Sequence, residues 1–344
     1  MSFLTPSSNR RYLVESIFLL MAATILVGTG LEHFSELSSG LPQSDATVIV
    51  KEARRLASDW TTLGTTWDPL LRYVGLATVY TALGHATSHT AVVYTILILY
   101  VVIPVAIYGF ASVISGPMAG AIAVVFVTVS IQFAIPLYGY ATEMWQYPFV
   151  LPFILTAFIT THLALCDRSD RFRWPVVTGA LLGVAGLQQF SLTAYAVATI
   201  FLTYGLQRRF KQLTVTAGVG GLFLLGLVFQ PGDIVTHLFW YSDRHGQLTW
   251  TGLETDPAEI WATISGQRHA LIIGWYSFVL TAWHNRGFAE VNPILKTGVI
   301  LCALCWMTRF DSAAYYAESS LMIATPLLAT ASGEIFTRQL SNLH

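Results

Sequence analysis

The chain has 344 residues, of which 54% are hydrophobic and 11% charged, with a formal net charge of −1. Mean hydropathy is +0.59 and the isoelectric point about 6.7, so no basic stripe points to nucleic acid and no acidic tail to a solvating arm. This composition excludes an ordinary soluble domain and fits a polytopic membrane protein, with 10 Trp, 15 Tyr and 20 Phe available for interfacial belts and apolar cavities.

The first predicted element is an apolar run over about 13–31, preceded by Asn9-Arg10-Arg11. A basic flank and an apolar run also describe a signal peptide. The run is ~18–20 residues, long enough to cross a bilayer, and it is read as an uncleaved first transmembrane helix. A long loop over 32–90 follows. It opens with Glu32-His33-Phe34 and passes through Pro42-Gln43-Ser44-Asp45 into an amphipathic stretch over 46–56. There Val48, Ile49, Ala53 and Leu56 lie to one side, and Lys51, Glu52, Arg54 and Arg55 to the other. That is the pattern of an interfacial helix. Ser44 or Asp45 suits its N-cap, because a side-chain oxygen there satisfies orphan amides. Asp59-Trp60 and then Trp67-Asp68-Pro69-Leu70-Leu71-Arg72-Tyr73 lead into a short apolar helix over 69–83.

Further apolar runs are predicted at about 91–112, 119–137, 147–165, 175–190, 192–206, 213–229, 269–283, 293–307 and 315–332. Gln188-Gln189 fall where two runs meet and read as a turn. Cys302 and Cys305 are spaced C-x-x-C inside an apolar run; with Cys166 they are the chain's only cysteines. Two soft ligands do not close a zinc site, so the pair reads as small packing residues on one helix face, with no disulfide framework. The predicted spans carry almost no charge apart from Glu318.

Basic residues set the orientation. Arg168, Arg171 and Arg173 share one loop, Arg208, Arg209 and Lys211 another; Arg286 and Lys296 flank a third, and Arg338 follows the last run. Cytoplasmic loops collect Lys and Arg, and all these clusters fall on one side with Arg10 and Arg11 only if 69–83 does not fully cross. That segment, short and carrying Arg72, is therefore read as juxtamembrane or re-entrant. The expected architecture is all-α: a single transmembrane domain over 1–344 with about ten crossings, in the cell membrane, both termini cytoplasmic. Four segments then face outward: 32–90, 138–146, 231–268 and 309–314.

These outward residues resemble the GT-C superfamily of membrane glycosyltransferases, which includes protein mannosyltransferases, aminoarabinose transferases and oligosaccharyltransferases. The resemblance rests first on an acid after the first helix, here Asp45, then Trp60 and Gly64, Trp67-Asp68-Pro69-Leu70, and a short helix closing at Leu83-Gly84. It rests next on Pro136-Leu137-Tyr138-Gly139-Tyr140-Ala141-Thr142-Glu143 in the second outer loop. A third match is Arg309 before Tyr315-Tyr316 and Pro326. The resemblance implies a bundle of transmembrane helices in which a sugar passes from a polyprenyl-phosphate donor to a glycan, lipid or protein acceptor by inverting transfer. The chain departs from its pattern in lacking paired acids: Ala46 follows Asp45, and no acid adjoins Glu143. A tight divalent site needs several oxygen ligands, which leaves at most a weakly held Mg or Mn ion shared by Asp45, Glu143, lipid phosphate and water.

The chemistry assigns roles to these residue types. An acceptor hydroxyl must lose its proton as it attacks the anomeric carbon, and a carboxylate within hydrogen-bond reach can take it. Asp45 is the candidate base, with Glu143 as the second catalytic carboxylate. Charge builds on the leaving phosphate and needs a cation. Arg309, Arg268, Arg244 and Arg72 are the candidates, with Trp67, Asp68, Tyr138 and Tyr316 as further substrate contacts. Competing readings are an O-antigen-type polymerase or ligase, a transporter and a non-catalytic scaffold. The scarcity of midspan charge counts against an ion-coupled carrier.

Overall fold

The computed structural model describes residues 6–37, 45–60, 70–83, 88–129, 146–167, 172–188, 190–228, 250–253, 278–279, 291–310 and 313–342. Among them the chain forms eleven helices. These are α1 (Pro6–Leu37), α2 (Asp45–Ser58), α3 (Leu70–Ala82), α4 (Ser88–Ser115), α5 (Pro117–Val129) and α6 (Gln146–Cys166), then α7 (Arg173–Gln188), α8 (Phe190–Leu206), α9 (Phe210–Val228), α10 (Pro293–Met307) and α11 (Ala313–Asn342). The apolar runs fold as helices, which satisfy their backbone polar groups within one segment. Gln188 closes α7 and Phe190 opens α8, as expected of the turn. The predicted run over 269–283 lies outside the described residues except for Phe278 and Val279.

The fold is all-helical as expected, with one small addition. Strand β1 (Trp250–Leu253) pairs antiparallel with strand β2 (Thr308–Phe310), with Trp250 opposite Phe310 and Leu253 opposite Thr308. An irregularity interrupts the register between them. The turn expected at 309–314 thus begins as a strand directly after α10.

The helices run between two ends of one bundle. Near the start of α1, Glu15 accepts a hydrogen bond from Tyr108 at the end of α4, 2.6 Å away. Ser115, closing α4, donates to Glu334 in the last third of α11 at 3.2 Å. Phe110 near the end of α4 meets Phe158 of α6 with the rings tilted and their centroids 5.9 Å apart. Asn292, before α10, meets His162 near the end of α6 at 3.1 Å. Arg209, between α8 and α9, donates to the Leu165 carbonyl at 3.4 Å. All these contacts share one end, here the near end, where α1 begins. The opposite, far end therefore holds the end of α1, the start of α4 and the pair α2–α3 between them. It also holds the end of α10, β2 and the start of α11. The chain stands at the far end in β1 and at the near end at Asn292, with the predicted run over 269–283 between.

Close helix approach shapes the near end. Gly116 links α4 to α5 in the left-handed region, with φ 96°, which suits glycine. Gly333 on α11 lies against the Ala119 carbonyl of α5, so close that a Cβ there would overlap it. Small residues at such contacts let backbones pack tightly where lipid supplies no hydrophobic drive between helices. Within the described residues, Phe149–Cys166 is the one helical stretch that is, by length and composition, apolar enough to cross a membrane. Shorter apolar helical stretches include Tyr12–Gly28, Val101–Ser115 and Leu192–Leu206.

Candidate functional site

The far end gathers every sequence-predicted site residue that the structure describes. Asp45 opens α2. A cap or acid is favoured there, because the first amides of a helix lack partners and its N-terminus carries partial positive charge. Position 45 precedes Leu56 by eleven residues, three helical turns, so it falls on the same side of α2 as Leu56. That side is the buried one. Ala53 and Leu56 are fully buried, and Val50 and Ala57 nearly so. They pack against α3, where Leu76, Ala77 and Tyr80 are buried in turn. Full burial of one leucine stabilises by about 1.5–3 kcal/mol where water is the alternative. The sequence reading placed Ala53 and Leu56 on this stripe; Val50 and Ala57 complete it.

The opposite side of α2 is charged. Lys51, Arg54 and Arg55 are exposed. Arg55 pairs with Glu52 at 2.9 Å. The Arg54 guanidinium carbon lies 5.7 Å from the Tyr80 ring centroid, a cation–π distance. The Tyr80 hydroxyl is buried and has no hydrogen-bond partner among the described residues.

α3 anchors α2 to the bundle by packing also on α4, α6 and α7. Its 13 residues rise about 20 Å as a helix, well short of the ~30 Å hydrocarbon core. Because α1 ends and α4 begins at the far end, α2 and α3 together return the chain to the side it had reached. Arg72 lies in the first turn of α3. The β1–β2 ladder brings Trp250–Leu253 to the segment bearing Arg309, and Tyr316 follows in the first turn of α11. Glu143, Trp67, Asp68, Tyr138, Arg244 and Arg268 lie outside the described residues. Among the described residues no group of three or more His, Cys, Asp or Glu side chains could hold a metal ion.

Sequence reasoning missed two polar clusters at the near end. Glu15 lies within the predicted first span, although Glu318 was read there as the main intramembrane charge. Its carboxylate is bonded to Tyr108, 93 residues away. The other cluster centres on His162. Asn292 caps α10 by accepting from the Ile294 amide at 3.0 Å, so its amide nitrogen is the group left to face His162 Nδ1. That leaves the proton on Nε2, 3.5 Å from the Cys166 sulfur. Asp167 and Arg173 pair nearby at 3.8 Å. The signal available was a polar residue inside each apolar run, yet nothing in one run names its partner in another.

No protein-family model matches the sequence, and no curated protein matches it significantly. Solved structures do match. ArnT from Cupriavidus metallidurans in the apo state superposes with a TM-score of 0.59 at 13% identity. The same protein bound to undecaprenyl phosphate gives 0.57 at 14% identity. Each match covers 93% of this chain, which spans 62% of the matched structure's length. The chain therefore shares the fold of these solved structures.

Proposed function

We propose that the chain is an integral membrane glycosyltransferase that takes a sugar from a polyprenyl-phosphate-linked donor and transfers it to an acceptor at the non-cytoplasmic face. The observation that carries this reading is the fold: nearly the whole chain follows a structure that has been solved with undecaprenyl phosphate bound. The far end is the active end in this reading, and the basic loops at the near end are cytoplasmic, with both termini. Arg173, Arg208, Arg209, Lys211 and Arg338, all near-end residues, support that orientation.

Asp45 acts as general base. It takes the proton of the acceptor hydroxyl as that oxygen attacks the anomeric carbon from the face opposite the phosphate, and the lipid phosphate leaves with the bonding pair. This displacement inverts the anomeric centre. Glu143 is the second carboxylate of the site. Arg309 holds the leaving phosphate, with Arg72, Arg244 and Arg268 as the other cations of the same end, and Trp67, Asp68, Tyr138 and Tyr316 contact the substrates. Any Mg or Mn ion at Asp45 and Glu143 would offset the charge on the lipid phosphate, and no step here depends on it.

The test is transfer itself. Purified chain in detergent with lipid is incubated with a polyprenyl-phosphate-linked sugar and a mixture of glycan, lipid and peptide acceptors, and free polyprenyl phosphate is measured. Acceptor-dependent release supports the reading. Absence of release across donor sugars, by protein that remains folded, sinks it.

A further inference from the structure

We infer that the outward face of α2 is a binding site for the phosphate headgroups of anionic bilayer lipids, separate from the donor site. The inference rests on the membrane placement proposed above, though not on catalysis. Lys51 and Arg54 stand three residues apart, one helical turn, and Arg55 follows Lys51 by four, so all three share one face. Lys51 and Arg54 form no ion pair with a carboxylate among the described residues; the one close pair on the face is Arg55 with Glu52. Among the described residues, then, the face carries two positive charges with no ion-pair partner. The Arg54 guanidinium carbon lies 5.7 Å from the Tyr80 ring centroid, and the residue is exposed, so an anion can reach it from solvent.

The position of the face selects its occupant. α2 lies where α1 leaves the bundle and α4 enters it, at the boundary between hydrocarbon and water. Trp60, 41% exposed just beyond α2, is the residue type that settles at headgroup level. An amphipathic helix in that plane meets lipid phosphates, and each basic residue near an anionic surface strengthens binding by about five-fold. The donor is a poorer occupant. Lys51 and Arg54 are turned away from the side of α2 that carries position 45, so a phosphate bound by them lies across the helix from the proposed base.

A fluorophore on Ser58→Cys reads this face directly, because Ser58 is exposed four residues after Arg54. Full-length protein with Cys166, Cys302 and Cys305 replaced by Ser is reconstituted in phosphatidylcholine vesicles. These contain nitroxide-labelled phosphatidylglycerol or nitroxide-labelled phosphatidylcholine at equal mole fraction. Labelled phosphatidylglycerol should quench more strongly. The excess should fall about five-fold or more in Lys51→Gln/Arg54→Gln and survive in Lys51→Arg/Arg54→Lys, where the charges remain. Gln is a good helix former, and both positions are exposed, so α2 should persist. Equal quenching by the two lipids, or an excess that the Gln pair leaves intact, overturns the inference. Loss of the excess on adding undecaprenyl phosphate as a trace competitor assigns the face to the donor and overturns it too. Release of the protein from vesicles by alkaline carbonate would overturn the membrane placement along with it, whereas failed sugar transfer would leave this inference standing.

Discussion

At the residue scale the account depends on a few side chains whose substitution separates chemistry from folding. Arg309 follows α10 within a strand that pairs with Trp250–Leu253. If it holds the leaving phosphate, Arg309→Ala should weaken donor use while leaving thermal stability close to the parent's. Arg309→Lys should restore little, because a point charge lacks the planar fork that grips two phosphate oxygens. Titration with labelled polyprenyl phosphate decides: an Ala variant that binds as tightly as the parent removes Arg309 from the site and moves the role to Arg268 or Arg244. The same scale shows why part of the site was legible and part was not. The helix start at Asp45 could be read because an acid before an amphipathic stretch marks one, and α2 opens there; its role as base is the proposal tested below. The bond from Tyr108 to Glu15 could not, because a single carboxylate at the mouth of an apolar run looks like flanking charge, and its partner sits on another helix.

At the element scale the close contact of α5 with α11 makes a sharp prediction. Gly333→Ala forces a Cβ into the Ala119 carbonyl, and backbone cannot yield as a flexible side chain can. Overpacking of this kind costs about 1–3 kcal/mol. Gly218→Ala, on α9, meets nothing within 4 Å and should leave stability unchanged or raise it slightly, since Ala is the better helix former. Thermal unfolding midpoints in detergent should rank Gly333→Ala lowest of the three proteins; equal midpoints would mean that this helix pair is looser than described. The helices other than α2 were legible because each coincides with an apolar run of the sequence. The β1–β2 pair was not: four and three residues carry too little alternation to read, and their pairing joins segments more than 50 positions apart in the sequence.

At the scale of the whole molecule the proposed orientation places the near end, where the described basic residues of the helix junctions lie, in the cytoplasm. Single cysteines at Ser44 and Ser169, in a background without native cysteines, should label from opposite faces of intact cells or oriented vesicles, Ser44 from outside. Labelling of both from the same face would overturn the scheme, and with it the non-cytoplasmic active end. Counting crossings in the sequence required 69–83 not to cross, and α3, at 13 residues, is a short helix there; the orientation itself is what the labelling decides. The catalytic centre is the point on which the functional reading turns. Asp45→Asn keeps the cap, since Asn caps a helix about as well as Asp, but an amide cannot take the acceptor's proton. The most direct measurement is acceptor-dependent release of polyprenyl phosphate by purified parent and Asp45→Asn proteins with matched unfolding midpoints. The account predicts a fall in turnover of about 10²–10⁴-fold, and an Asp45→Asn protein that turns over at nearly the parent's rate would contradict it.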